Sequence, residues 1–278
     1  MEKRSPGFYL LTAFFALFIL FLYGPTLTIG ILSFQGPEGG LTFPMRGVST
    51  YWFHDLFREQ AVGDIWGAFA RSLILGLMVM VTTVVVSVMG GLAFRKRFHG
   101  SGALFYLIIA SLVIPSILVS LGVGLIFSQA GWKIHWATSG FGAQLTWTLP
   151  FGLLIMFAVF NRFDKSFEEA ARDQGASNWQ TFRHVVLPII APSLIGVALF
   201  GFTLSYDEFA RTLLTAGSYN TLPLEIFGMT TNVTTPVIYA LGTLTTAFSF
   251  LIIAVFMVSV IVVNRRRARH GSDAGKGI

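Results

Sequence analysis

Six apolar runs of about twenty residues or more, nearly free of charge, divide this chain of 278 residues. They lie at about 8–34, 67–94, 102–128, 142–161, 190–213 and 238–263. Each is long enough to cross ~30 Å of hydrocarbon as a helix rising ~1.5 Å per residue. A mean hydropathy of +0.71 with only 12% charged residues is too apolar for a soluble domain. The reading is an all-α polytopic membrane protein, a single transmembrane domain over 1–278 without a soluble appendage. The 28 Phe suit lipid-facing and bundle-packing surfaces, and the 29 Gly suit close helix contact. There is no Cys, which excludes disulfides, thiolate catalysis and Cys-based metal sites.

The net charge of +6 invites a nucleic-acid role until the charges are placed. One side of the six-span scheme holds 14 Lys and Arg: Lys3, Arg4, Arg95, Lys96, Arg97, Arg162, Lys165, Arg172, Arg183, Arg265, Arg266, Arg267, Arg269 and Lys276. The other side holds 5: Arg46, Arg58, Arg71, Lys133 and Arg211. The Lys/Arg-rich side faces the cytoplasm, so both termini are expected there. The basic tail is then a topogenic signal rather than a nucleic-acid arm. The start Met1-Glu2-Lys3-Arg4 has the charge of a signal peptide, but the first run is too long for a cleaved one and is expected to be a retained helix.

Between the fourth and fifth runs, at about 163–189, lies a charged island that no membrane helix tolerates. Ser166-Phe167-Glu168-Glu169 has the form of a capping box, and Ser177-Asn178-Trp179-Gln180 repeats it. The Ala-rich piece between favours helix, and Gly175 is placed to end it in a left-handed conformation. Pro192 fits the first turn of the next span. The expectation is a cytoplasmic helix–turn–helix, with Ala170 and Ala171 leaving room for a partner; the plainer reading is an amphipathic connector on the headgroups.

Glu169-Ala170-Ala171, three residues, Gly175, nine residues, then Val185-Val186-Leu187-Pro188 resembles the signature loop of permease subunits of binding-protein-dependent ABC importers. Val185 stands where Ile is usual. The resemblance extends over roughly 66–258 and implies a type I importer permease. It implies four kinds of partner: a second, different permease, two ATPase subunits, a soluble extracytoplasmic binding protein, and membrane lipid. ATP with Mg is then bound by the ATPase subunits and by no part of this chain. The residues it implies for ATPase docking are Glu168, Glu169, Ala170, Ala171 and Gly175, the two acids pairing with basic groups of the ATPase groove. Arg71-Ser72-Leu73 stands where such permeases often show Asn-Ser-Leu.

The fifth run contains Tyr206-Asp207-Glu208-Phe209. An acid at the centre of a membrane helix costs ~2.5–3.5 kcal/mol on insertion scales, and two adjacent ones are not expected to face lipid. Arg211 is three and four residues on, within reach of both. The acids then read either as a structural pair with Arg211 or as a substrate site. Carboxylates with aromatic faces suit an organic cation. With Leu222-Pro223-Leu224 following, the passage is similar to permeases of spermidine/putrescine importers. That resemblance implies Asp207 meeting an amine and Tyr206 gating it, with Glu208 and Phe209 beside them. Glu225 reads as a solvated loop residue or a guide for cations.

The remaining signals are weak or negative. Trp132, Trp136 and Trp147 read as interfacial anchors of an outer loop, and the piece near Tyr51-Trp52-Phe53 as an amphipathic segment at the outer interface. Pro25 and Pro115, inside runs, are expected to kink or unwind their helices. No phosphate-binding Gly-x-x-x-x-Gly-Lys-Ser/Thr is present, and the five His have no metal spacing, so the chain reads as no enzyme and no metal site. The sequon Asn232-Val233-Thr234 reads as chance. Rival readings are the same machine for another organic cation, a phosphonate, iron or thiamine; a stand-alone ion-coupled transporter; and an assembly protein.

Overall fold

The apolar runs become helices in the computed structural model, which describes residues 5–58, 63–96, 98–232 and 235–273. Met1 to Arg4, Arg97, Val233, Thr234 and Lys276, invoked above for charge or as a sequon, lie outside the described residues. In chain order the helices are α1 (Pro6–Leu32), α2 (Tyr51–Asp55), α3 (Ile65–Phe94), α4 (Ser101–Val113) and α5 (Ser116–Gln129). They continue as α6 (Phe141–Asn161), α7 (Ser166–Asp173), α8 (Asn178–Thr181), α9 (Leu187–Tyr206), α10 (Leu222–Asn232) and α11 (Val237–Asp273). No strand occurs among the described residues; Gln35 and Val48 form one isolated bridge. Five helical stretches are long and apolar enough to cross a membrane, and α4 with α5 supplies a sixth if that bent pair is one span.

The chain divides into two units, Met1–Gly63 with Ile226–Phe250 and Asp64–Glu225 with Leu251–Ile278. In the first, α1 continues through Pro25, which neither breaks nor ends it. The loop after α1 is built around buried Gln35. Its amide nitrogen donates to the Gly40 carbonyl (3.2 Å) and its Oε1 accepts from the Arg46 amide (2.8 Å). Trp52, in the short helix α2 of the segment read as amphipathic, is buried in this loop, and its indole N–H reaches the Gly36 carbonyl at 3.4 Å. The Tyr239 hydroxyl on α11 donates to the Leu41 carbonyl (2.7 Å) and fastens the same loop.

The second unit is a three-helix core of α3, α6 and α9. Val88, Met156, Phe160, Val186, Ile190 and Val197 form its buried apolar cluster. Lipid tails are as apolar as these side chains, so van der Waals fit rather than expulsion from water holds such helices together, and small residues mark the closest approaches. Gly152 is one such point. A β-carbon there would lie 2.3 Å from Ser87 Oγ, 2.8 Å from Thr83 Cγ2 and 3.2 Å from Val197 Cγ1. Gly152→Val is therefore expected to cost ~1–3 kcal/mol by overpacking and to lower the thermal midpoint of the solubilised protein by several degrees. An unchanged midpoint would show that the crossing is looser than the geometry says.

Pro115 breaks the third run. Ile114 before it is extended (φ −70°, ψ 126°), the conformation a following proline imposes, and α5 leaves α4 at 108°. The fifth run departs from expectation at both ends. Its helix begins at Leu187 with Pro188 in the first turn, so Pro192 is an interior residue, and it stops at Tyr206 rather than near 213.

Candidate functional site

The polar island folds as a knob at the Arg95 end of the core. α7 does not open with the expected capping box. The residue before it, Lys165, is already in helical conformation, and the Asp164 carboxylate takes the Ser166 amide (2.9 Å) in place of the Ser166–Glu169 exchange. That bond holds the Asp164 carboxyl below the usual carboxylate range. The other end matches the expectation: Gly175 has φ +81°, and the amides of Gly175 and Ala176 return to the carbonyls of Arg172 (2.8 Å) and Ala171 (3.1 Å). This is a Schellman closure, which satisfies carbonyls a helix end leaves open. α8 opens with the expected second box, Gln180 N–H to Ser177 Oγ (3.3 Å) and Ser177 N–H to Gln180 Oε1 (2.8 Å). A π-helical turn, Phe182–Val186, then carries α8 into α9 without a break, so the second half of the knob and the membrane helix are one piece.

Glu169, Ala170 and Gly175 are exposed, Glu168 and Ala171 half-buried. Phe167 and Trp179 hold 52% and 65% of their surface out of the chain, an unusual display of apolar area on so polar an island. Glu168 is not free for a partner, as had been expected. Arg95 at the end of α3 grips it bidentately, Nη1 to Oε1 at 2.8 Å and Nη2 to Oε2 at 2.6 Å. The guanidinium also lies over the rings of Phe160 (5.4 Å) and Phe163 (5.3 Å). Bidentate geometry and two aromatic faces make this a strong tie. It pulls the Glu168 carboxyl below its usual range and pushes the Arg95 guanidinium up. Arg95 was legible only as one more basic residue of a turn.

The second candidate lies after α9. Tyr206, the last helical residue, is 3% exposed, stacked on Phe202 (5.6 Å) and edge-on to Phe69 (6.4 Å). Asp207 caps the helix at the surface of the chain, and nothing among the described residues pairs with its carboxylate. Glu208 accepts from the Arg211 backbone amide (3.0 Å), and Phe209 is half-buried beside it. The Arg211 ion pair, one of the two readings of these acids, is not among the ion pairs formed by the described residues. Once the helix has ended at Tyr206 the three- and four-residue spacing no longer stacks side chains. The buried Arg211 guanidinium instead donates to Thr146 Oγ1 and lies over the Trp147 ring at 5.0 Å. Trp147 is thus a support inside α6 and not an outer-loop anchor.

From Asp207 to Thr221 the backbone is irregular, and irregular backbone at membrane depth requires protein partners. They come from side chains that sequence reasoning passed over. Ser120 Oγ donates to the Arg211 carbonyl (3.0 Å) and accepts from the Leu214 amide (3.0 Å); Ser139 Oγ donates to the Thr215 carbonyl (2.8 Å). Gln144 Oε1 accepts from Ser205 Oγ, and Ser72 Oγ accepts from the Leu222 amide (2.8 Å). A scan for buried hydroxyls and amides within apolar runs finds them. At the Asp64 end, Arg71 binds Asp64 (2.9 Å) and the Asn220 carbonyl (2.7 Å) and lies over Tyr219 (5.6 Å). Glu225 lies in the first turn of α10 rather than in a loop, and it accepts from the Asn220 amide group (2.9 Å) and the Asp64 backbone amide (3.2 Å).

A bundle of long apolar helices, a polar knob built on one of them and a braced irregular segment following the same helix are the features of a membrane permease. The chain belongs to the family of binding-protein-dependent transport system inner membrane components, whose model matches residues 83–269, and it is a transmembrane component of a multi-subunit ABC importer. It is similar to the spermidine/putrescine transport system permease protein PotC of Haemophilus influenzae, 28% identical over 248 residues, covering 88% of this chain and 94% of that protein. It is 30% identical over 232 residues to the putrescine transport system permease protein PotI of Escherichia coli, covering 81% of each. Among solved structures it resembles a chain of a bacterial ABC transporter that imports the acidic polysaccharide alginate. That match has a TM-score of 0.65 at 17% identity and covers 97% of this chain and 99% of the other. The inward-facing MetNI methionine transporter matches with a TM-score of 0.53 at 18% identity, over 72% and 94%. At these identities the solved structures speak for the fold alone.

Proposed function

We propose that this permease passes polyamines, spermidine or putrescine, with Asp207 as the carboxylate that meets the amine and Tyr206, Glu208 and Phe209 bordering it. One observation carries the choice of residue: Asp207 is exposed at the end of α9 with no partner for its carboxylate among the described residues, while Arg211, its alternative partner, is engaged with Thr146 and Trp147. The names of the PotC and PotI relatives support the substrate class. Two separate ATPase subunits bind ATP with Mg and seat the knob through Glu169, Ala170, Ala171 and Gly175, while Glu168 stays with Arg95. A second, different permease completes the pathway. A soluble binding protein delivers substrate at the outer face, contacting the loops near 35–66, 128–141 and 214–237. The Lys/Arg distribution puts the knob and both termini in the cytoplasm of a bacterial cell.

The test is uptake of radiolabelled spermidine and putrescine by the complete transporter in vesicles, with Asp207→Asn beside the wild type. Losing one partner of a charge-assisted contact costs ~1.5–3 kcal/mol, so uptake at limiting substrate is expected to fall by roughly ten- to a hundredfold. Unchanged uptake by the variant would remove the acid from the mechanism. Wild-type vesicles that take up neither amine would overturn the substrate class and leave the importer intact.

A further inference from the structure

Two cavities flank the Arg95–Glu168 pair, and they differ in chemistry. One, of about 750 Å³, is lined by Arg95, Lys96, Lys165, Glu168 and Arg172. The other, of about 670 Å³, shares Arg95 and Lys165 with it but is walled by Phe94, Phe105, Phe157 and Phe160. Both volumes are in the range of small-molecule sites. The basic cavity carries four cations against one carboxylate. Arg95 neutralises Glu168, and Lys96, Lys165 and Arg172 have no carboxylate within ion-pair distance among the described residues. Lys165 and Arg172 are near enough to Glu168 to act on its charge, but one carboxylate faces four cations, and the cavity keeps a net positive charge that an anion complements.

The position of the cavities says which anion. They lie where α3 and α6 end, at Phe94 and Asn161, so the aromatic cleft faces acyl-chain depth while the cations sit at the headgroup level. The aromatic wall is continuous, with ring centroids of Phe94 and Phe157 4.5 Å apart and of Phe105 and Phe157 5.9 Å apart. A free phosphate has no use for such a wall; an acyl chain does. We propose that this pair of cavities is a binding site for an anionic phospholipid, its headgroup phosphate held by Lys96, Lys165 and Arg172 and one chain laid on Phe94, Phe105 and Phe157. The lipid then touches α3, α6 and the knob together, so knob position becomes sensitive to lipid charge. The site does not depend on which substrate the permease carries.

The experiment is native mass spectrometry of the complete transporter released from mild detergent after equilibration with phosphatidylglycerol, cardiolipin or phosphatidylethanolamine. The comparison variant is Lys96→Gln/Lys165→Gln, two exposed positions whose neutralisation leaves the Arg95–Glu168 pair in place. Wild type is expected to retain the anionic lipids at least tenfold more than phosphatidylethanolamine, and the double variant to lose that preference. Phe105→Ala, which leaves the cations intact, is expected to weaken retention several-fold. Equal retention of all three lipids, or equal retention by the double variant, overturns the proposal. So does displacement of lipid by millimolar inorganic phosphate with Phe105→Ala silent, which marks a free-anion site. If the double variant sheds its ATPase subunits yet keeps anionic lipid, the cavity belongs to a protein partner and the proposal fails.

Discussion

Alanine in place of Gly217 is expected to leave little transport-competent protein. Gly217 sits at φ +74°, and a β-carbon there would fall 2.3 Å from the Ile134 carbonyl oxygen and 3.1 Å from its carbon. A left-handed residue with a side chain costs ~1–2 kcal/mol. The overlap adds to this because it is with backbone, which cannot rotate away. Relief requires the 207–221 segment to shift, and that segment is held by Ser120, Ser139 and Ser72 through hydrogen bonds worth ~1 kcal/mol each. The expected sum is several kcal/mol, read as a fall of many degrees in thermal midpoint and loss of uptake. Gly175→Ala is the control. Gly175 has nearly the same φ, +81°, but open space around it, so only the conformational cost applies. If both variants lose the same small amount, the approach of Ile134 to residue 217 carries no weight.

Glu168→Ala is expected to cost nearly as much as Arg95→Ala, and the double variant little more than either. Both side chains are about one-seventh exposed, at 15% and 14%, so removing one partner leaves the other desolvated without compensation. A coupling energy of ~1–3 kcal/mol is expected from a double-mutant cycle on the solubilised protein. Full additivity would show that the pair does not hold the knob. The pH dependence has a definite sign. Arg95 holds the Glu168 carboxyl below its ordinary value, so the stability it contributes is fully present above the ordinary glutamate range, pKa ~4.3. It is lost as pH falls through the lower folded value. Melting measured between pH 6 and 8 should therefore show no pH dependence from this pair, whose contribution is complete there, and the difference between wild type and Glu168→Gln should shrink only in acid.

What the sequence made legible and what it hid divide along one line. Helix punctuation that depends on neighbours along the chain was readable: the Ser177–Gln180 box and the left-handed Gly175 are both in place. The Ser166 box failed for a reason equally local, since Asp164 competes for the same amide two residues earlier. The end of the fifth span was not readable. Phe209, Ala210, Leu213 and Leu214 continue an apolar pattern, and only Ser120 and Ser139, some 75 to 95 residues away in sequence, supply the bonds that let the backbone leave the helix there. The Arg211 pairing failed with it, because that expectation assumed an unbroken helix. Arg71, which looked like a departure from the family's usual Asn, found its role only when the fold brought Asn220 and Tyr219 to it.

From Asn178 to Tyr206 the chain is one uninterrupted helical stretch of 29 residues, roughly 43 Å at the usual rise. Such a strut behaves like a crowbar: displacement applied at Trp179 emerges at Asp207 without a joint to swallow it. The π-helical collar at Phe182–Val186 is where its backbone bonding is least regular, and so where such a bar would flex first under load. On the proposed function, force and cargo would then share a single piece of protein, and an event at the knob would reach Asp207 as mechanical travel rather than as a relayed message.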